Sequence, residues 1–283
     1  METSERIKME TMEKSESRRI ETSGNLRRKT PEIKNKWLYL GIPAAAIAFA
    51  EMWIYSGRLI EAAEMHAVIL LGLSFSMMFI KDEEIQKTYQ ALILLPILRL
   101  INLSMPVFFE TTLDSFIFIY GLLAIPVSIA ATHQELTRTQ LGLTFKKIMV
   151  YIPLSILLGL VLGAGEYLII ETNNLIPDLS VFNLLKLSIV MILFVGLVEE
   201  VIFRSILQTR LEIVLGNKTG LIVTSILFGL MHSGYGSINE ILYTSFVGFV
   251  IGYLFYRTRS LPLVTMIHGF INVFLFGIIP LLL

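Results

Sequence analysis

Apolar runs of roughly 17–25 residues, the length that crosses a bilayer as a helix, follow one another along most of the chain with short polar breaks between them. They fall at about 37–55, 63–80, 88–107, 114–132, 148–170, 182–207, 219–233, 238–256 and 260–282. The pattern predicts an all-α fold, a polytopic transmembrane helical bundle of about 8–9 spans. The seventh run is short enough to merge with a neighbour. Residues 1–36 mix acids and bases without an apolar stretch. They are expected to form a polar, charged cytoplasmic tail too hydrophilic to bury a core, ahead of a membrane domain at 37–283. No apolar h-region precedes the first run, so the start of the chain does not read as a cleaved signal peptide.

Composition agrees with the pattern. The chain is 54% hydrophobic and 16% charged with a mean hydropathy of +0.71, against about 45–50% apolar and about 25% charged for a soluble domain. Net charge is zero and the pI is 6.9, so nothing points to a nucleic-acid partner. The chain has no cysteine, which excludes disulfides, a thiol nucleophile and thiolate metal ligation. Alternate connections differ in charge. One set holds the Lys- and Arg-rich segments at 27–36, 81–87, 133–147, 208–218 and 257–259. The other set, at 56–62, 108–113, 171–181 and 234–240, holds Arg58 alone. The positive-inside rule then places the N-terminus in the cytoplasm.

Candidate chemistry comes from the ionisable residues that fall inside apolar runs: Glu51, Arg99, Glu166, Lys186, Glu199, Glu200, Arg204, His232 and His268. A charge at mid-membrane costs about 2.5–3.5 kcal/mol and turns towards a bundle interior or water. In LVEEVIFRSIL, at 197–207, Glu200 and Arg204 are four apart on one helix face and can pair. Glu199 points about 100° away, so the two carboxylates are not expected to share a partner. An unpaired Glu199 is a candidate general base. Partners on other helices are His232, in FGLMH with Phe228 one turn earlier, and His268, in HGFIN with Asn272 one turn later. A Glu and a His can take a proton from water and pass it to a leaving amine. A second His and an Asn can donate to the oxyanion of a tetrahedral intermediate. That set suffices to hydrolyse a peptide bond without a covalent nucleophile.

Other charges read as structural. Glu166 and Lys186 are placed to pair or to reach the interface. Arg99 and Glu51 have no local partner, so any pairing would be a buried one across helices, and His66 and His133 fall at span ends. Phe228 alone reads as core and Asn272 alone as interhelical glue. Gly159 and Gly163 suggest close helix packing. The sequence has no HExxH, no Gly-x-Gly-Asp and no Gly-x-Ser-Gly segment at Ser233. Two histidines and a glutamate leave zinc as an alternative. Asn272 suits hydrogen bonding better than ligation, so no metal and no other cofactor is expected.

Glu199 to Arg204 (EEVIFR), Phe228 to His232 (FGLMH) and His268 to Asn272 (HGFIN) occur in this order on separate runs. Together they resemble the CPBP family of intramembrane proteases, which includes the Rce1-type CAAX prenyl endopeptidases. The resemblance covers residues 148–280 as a catalytic core. It implies a helical bundle with an internal cavity accessible to cytoplasm and lipid. Glu199 and His232 would activate water, His268 and Asn272 would form the oxyanion site, and Glu200, Arg204 and Phe228 would support them. The implied partners are membrane lipid and a protein or peptide substrate, a prenylated CAAX C-terminus that loses its last three residues. Some relatives act in bacteriocin immunity or as scaffolds, which makes a non-enzymatic role the first alternative. A transporter with a proton relay is the second.

Overall fold

Each of the nine apolar runs is a helix in the computed structural model, which describes residues 35–108 and 112–283. In chain order they are α1 (Lys36–Tyr55), α2 (Leu59–Ser76), α3 (Glu83–Phe108), α4 (Leu113–His133), α5 (Ile148–Ile170), α6 (Val181–Leu215), α7 (Asn217–Leu230), α8 (Ile238–Thr258) and α9 (Leu261–Leu282). The described secondary structure is helical throughout. The tail expected at 1–36 lies almost wholly outside the described residues.

Seven of these helices are long and apolar enough to cross a membrane, and α3 and α7 are not among them. With 14 residues, α7 reaches about 21 Å at ~1.5 Å per residue, short of a ~30 Å hydrocarbon core. α3 has the length but opens on Glu83, Glu84 and Lys87 and carries Arg99 further along. Its Ala91, Leu92, Leu94, Leu95 and Leu98 are all buried, so its apolar residues serve contacts within the protein. Of the 8–9 spans expected, seven helices qualify by length and composition, and α3 and α7 are more polar or shorter. The chain is an integral, multi-pass membrane protein.

The helices that bound the site pack closely. α5 meets α9 through the predicted glycines: a Cβ at Gly159 would collide with Phe270, and one at Gly163 would lie 2.8 Å from the Ile271 carbonyl. Leu162, Val247, Ile251, Val264 and Ile267 form the apolar cluster among α5, α8 and α9. On the outside, Leu157, Val161 and Leu168 of α5 and Val68, Leu71 and Phe75 of α2 are exposed. An outward-facing apolar surface of that kind is stable against lipid tails.

α6 is not a uniform α-helix. π-helical stretches at Val190–Gly196 and Val201–Gln208 flank the single α-turn Leu197–Glu200. Such widened turns collect at functional sites because they redirect side chains at the expense of regular hydrogen bonding. After α6 the chain reverses at Gly216, whose φ of 89° is open to glycine but strained for other residues. That reversal lays α7 back along α6 and brings residues 228–235 beside Glu199.

Candidate active site

Glu199 and Glu200 occupy the α-turn between the two π stretches, and both are buried, as is Arg204. Glu200 Oε2 lies 3.2 Å from Arg204 Nε, the pairing expected from their four-residue spacing. The Arg204 guanidinium sits 4.3 Å from the centre of the Phe228 ring, and its Nη2 donates to the Gly248 carbonyl at 3.4 Å. A charge taken out of water is tolerable only with this kind of compensation. Phe228 is core, as read from the sequence, and it also covers the buried cation.

His268 of α9 stands between the two carboxylates. Its Nδ1 hydrogen-bonds Glu200 Oε1 at 2.8 Å, and its Nε2 lies 3.9 Å from Glu199 Oε2. The two glutamates therefore share a histidine through its opposite ring nitrogens, contrary to the expectation that they share no partner. The directions of Glu199 and Glu200 do diverge, but an imidazole is wide enough to bridge them. Asn272 follows one turn later on α9 and, like His268, is buried in the wall of a cavity.

His232 is not in the membrane-crossing segment predicted at 219–233. α7 ends at Leu230, and His232 lies in the turn before the short 3-10 helix Ser233–Tyr235. Its Nδ1 lies 3.0 Å from the Phe228 carbonyl. A carbonyl only accepts, so Nδ1 carries the proton and donates, which leaves Nε2 available. The Phe228 ring lies 5.1 Å from the His232 ring and 5.7 Å from that of His268, centre to centre. One aromatic residue thus touches both histidines.

The turn that bears His232 is held on both sides by helices far away in sequence. Arg99 of α3 donates to Glu51 of α1 through Nε at 2.9 Å and through Nη2 at 2.6 Å. The same Nη2 donates to the Met231 carbonyl at 2.6 Å, and the Ser233 hydroxyl donates to Glu51 Oε2 at 2.6 Å. His66 Nε2 lies 3.2 Å from Glu51 Oε1 and is fully buried. The span-end reading of His66 is corrected accordingly, whereas His133 is exposed at the end of α4. Glu51 and Arg99, each without a local partner, are partners of each other across the bundle.

Tyr120 of α4 is the residue that the sequence reading missed. Its hydroxyl donates to Glu199 Oε1. A buried tyrosine on an apolar helix looks like core packing, and no local spacing relates positions 120 and 199. The Glu166–Lys186 pairing is also replaced: Lys186 reaches Asp114 at 2.8 Å, and Glu166 lies beside Glu240 of α8.

Two cavities meet at Glu199. The larger, about 520 Å³, lies among α4, α5, α6 and α9 and is lined by Glu199, His232, His268 and Asn272 together with Glu166 and Glu171. The smaller, about 290 Å³, lies towards α3 and is lined by Glu199, His232, Tyr235, Arg99 and Asn102. Phe116, Tyr120, Glu199, His232 and Tyr235 border both. All four residues expected to act on substrate therefore face one space, and Glu200, Arg204 and Phe228 lie behind them. Among the described residues no group of three or more His, Asp or Glu side chains is placed to hold a metal ion.

Compared with known families, residues 181–274 match the model for the type II CAAX prenyl endopeptidase Rce1-like family. Residues 181–274 are Rce1-like. The match spans α6 to α9 and contains Glu199, Glu200, Arg204, Phe228, His232, His268 and Asn272. It is narrower than the core of 148–280 read from the motifs. Tyr120, Glu51 and Arg99 lie outside the Rce1-like segment and reach into it. No curated protein and no solved structure matches the chain significantly.

Proposed function

We propose that this protein is an intramembrane endopeptidase that cleaves a peptide bond with water activated by Glu199. At the level of family, the Rce1-like match supports a CAAX-type membrane protease acting on a peptide substrate in a lipid environment. The observation that carries the finer reading is the convergence of Glu199, His232, His268 and Asn272 on one cavity wall. In this mechanism Glu199 takes a proton from water while the oxygen adds to the scissile carbonyl carbon. Asn272 donates to the oxyanion, and so does His268 through Nε2 in its doubly protonated form, since its Nδ1–H is held by Glu200. Such a donor is worth about 10²–10³ in rate. Collapse of the tetrahedral intermediate breaks the C–N bond. The departing nitrogen takes its proton from Glu199, relayed through His232, whose free Nε2 faces the same space. Peptide and water are consumed, and a carboxylate and an amine are released.

Tyr120 holds one oxygen of Glu199 and leaves the other for water. Glu200 fixes the His268 ring through Nδ1, and Arg204 compensates the Glu200 charge. A prenylated CAAX C-terminus is the proposed substrate, and the proposed core extends over 148–280 because α5 lines the same cavity. A metal-free site is proposed as well. The N-terminus is proposed to face the cytoplasm.

A second reading exchanges the two histidines. The 3.9 Å between Glu199 Oε2 and His268 Nε2 is too long for a direct hydrogen bond and fits one water held by both. His268 would then accept from the attacking water through Nε2, and His232, protonated on both ring nitrogens, would donate to the oxyanion through Nε2.

The test is reconstitution into liposomes with a farnesylated CAAX peptide, comparing wild type with Glu199→Ala and His268→Ala. Both variants are expected to lose cleavage, and cleavage that survives both substitutions refutes the site. His232→Gln and His268→Gln separate the two readings, because glutamine keeps a donor but cannot accept the water's proton. The position that keeps more activity as glutamine is the oxyanion donor. A chelator that abolishes cleavage, with recovery on added zinc, would overturn the metal-free mechanism.

A further inference from the structure

The two cavities that meet at Glu199 differ in charge. The larger one has Glu166 and Glu171 in its wall. The smaller one has Arg99 and no acidic residue other than Glu199 itself. Arg99 makes all its described hydrogen bonds through Nε and Nη2, which leaves both N–H groups of Nη1 unassigned. The Asn102 side chain lies three residues further along α3, in the same wall. A guanidinium and a carboxamide on one wall are the donor types that recognise a carboxylate. Glu51 already balances the formal charge of Arg99, so the attraction is one of aimed donors, strengthened by low local dielectric. On the other side of Glu199 a carboxylate would find no arginine or lysine in the wall.

We infer that the smaller cavity is the subsite for the free C-terminal carboxylate of the substrate, bound by Arg99 and Asn102. The substrate then lies across Glu199 in one direction, with its C-terminal fragment towards α3 and its upstream, lipid-bearing part in the larger cavity. The direction follows from the charge of the two walls, and the inference rests on the endopeptidase reading of the site. It also restricts fragment length. Each residue added beyond the scissile bond displaces the carboxylate by up to ~3.5 Å from its donors.

The test measures binding and cleavage separately. Binding uses Glu199→Gln protein in detergent micelles and two probes, a farnesylated Cys-Ala-Ala-Met peptide with a free carboxylate and the same peptide as its C-terminal amide. The acid is expected to bind about tenfold more tightly than the amide, the size of one charge-assisted hydrogen bond. Adding Asn102→Leu is expected to shrink that ratio while affinity for the amide stays constant. Adding Glu51→Gln with Arg99→Gln, which removes both charges of the buried pair together, is expected to abolish the ratio. Equal affinity for acid and amide, or a ratio that both changes leave intact, overturns the inference. Cleavage uses wild-type protein and the same two peptides. If acid and amide are cut equally well, the endopeptidase reading stands and the carboxylate subsite falls. If neither is cut but the acid/amide binding ratio behaves as described, the subsite stands and the endopeptidase reading falls. If neither peptide binds, the inference is overturned.

Discussion

Among the described residues two Glu–Arg pairs are buried on both sides, and each supports one of the two histidines proposed for the site. Glu200–Arg204 lies within α6, four residues apart, and presents Glu200 to His268. Glu51–Arg99 joins α1 to α3 across 48 residues of sequence and grips the residues on both sides of His232, through the Met231 carbonyl and the Ser233 hydroxyl. The first acts on a side chain directly, inside the Rce1-like segment. The second acts on a turn, from outside that segment. Their difference shows how the support is divided: the family-matched helices carry the groups proposed to react, and the N-terminal helices hold the turn that bears His232. A histidine in a turn needs such support, because its backbone lacks the ladder of hydrogen bonds that orients His268.

The largest effect is expected from breaking the local pair. Arg204→Met leaves Glu200 buried without its cation, a situation that costs about 3–5 kcal/mol. Chemical or thermal unfolding in detergent should show that loss. Glu200→Gln with Arg204→Met removes both charges, and most of the stability is expected to return while peptide cleavage stays low, because His268 loses its carboxylate partner. If Arg204→Met unfolds like wild type, the pair does not carry the compensating role assigned to it.

Arg99→Met tests the other pair in the same terms, with a smaller loss of about 3 kcal/mol. Glu51 keeps the Ser233 hydroxyl as a donor and has His66 close by, so its carboxylate is less exposed to the loss. The informative measurement is amide exchange across 229–236. Arg99→Met is expected to raise exchange there more than it does in α9, whereas Arg204→Met should do the reverse. A uniform rise across the bundle for both variants would erase the distinction between the pairs.

These contrasts also mark what the sequence could reveal. The all-helical membrane fold was legible because lipid demands long apolar runs, and the four-residue spacing of Glu200 and Arg204 is a property of the helix alone. The Gly159/Gly163 stripe was legible for the same reason and does meet α9. The partners of Glu51, Arg99, Glu166 and Lys186 were not legible, since each is set by which helices become neighbours. Lys186 and Glu166 looked complementary in charge, yet α6 turns Lys186 towards Asp114 and α5 turns Glu166 towards Glu240. The end of α7 was misplaced because Met231 continues the apolar pattern up to His232, although the helix stops at Leu230. Tyr120 was invisible in a run of apolar and aromatic residues because its role depends on a contact 79 positions away.

Tyr120→Phe sharpens the comparison by acting on Glu199, the carboxylate that neither pair holds. It deletes one hydroxyl and little volume. The hydrogen bond is to a charged group, so cleavage is expected to fall by about tenfold, with kcat reduced and peptide affinity unchanged. A fall in affinity with kcat intact would move Tyr120 from positioning Glu199 to binding substrate.

The smallest change is Ser233→Ala, which removes one donor to Glu51 and leaves Arg99–Glu51 and Arg99–Met231 in place. A single such bond is worth about 1 kcal/mol net, so global stability should change little. Its effect should concentrate on the turn: faster exchange at 232–235 and a several-fold loss of cleavage, with the His268 side unaffected. Combined with Arg99→Met it should add little further loss, because both residues grip the same turn and their effects are not independent. Combined with Arg204→Met it should add in full, since that variant disturbs the other histidine. Additivity in the first combination would mean that Ser233 and Arg99 do not act as one clamp, and His232 would then be held by the Phe228 carbonyl and its own turn alone.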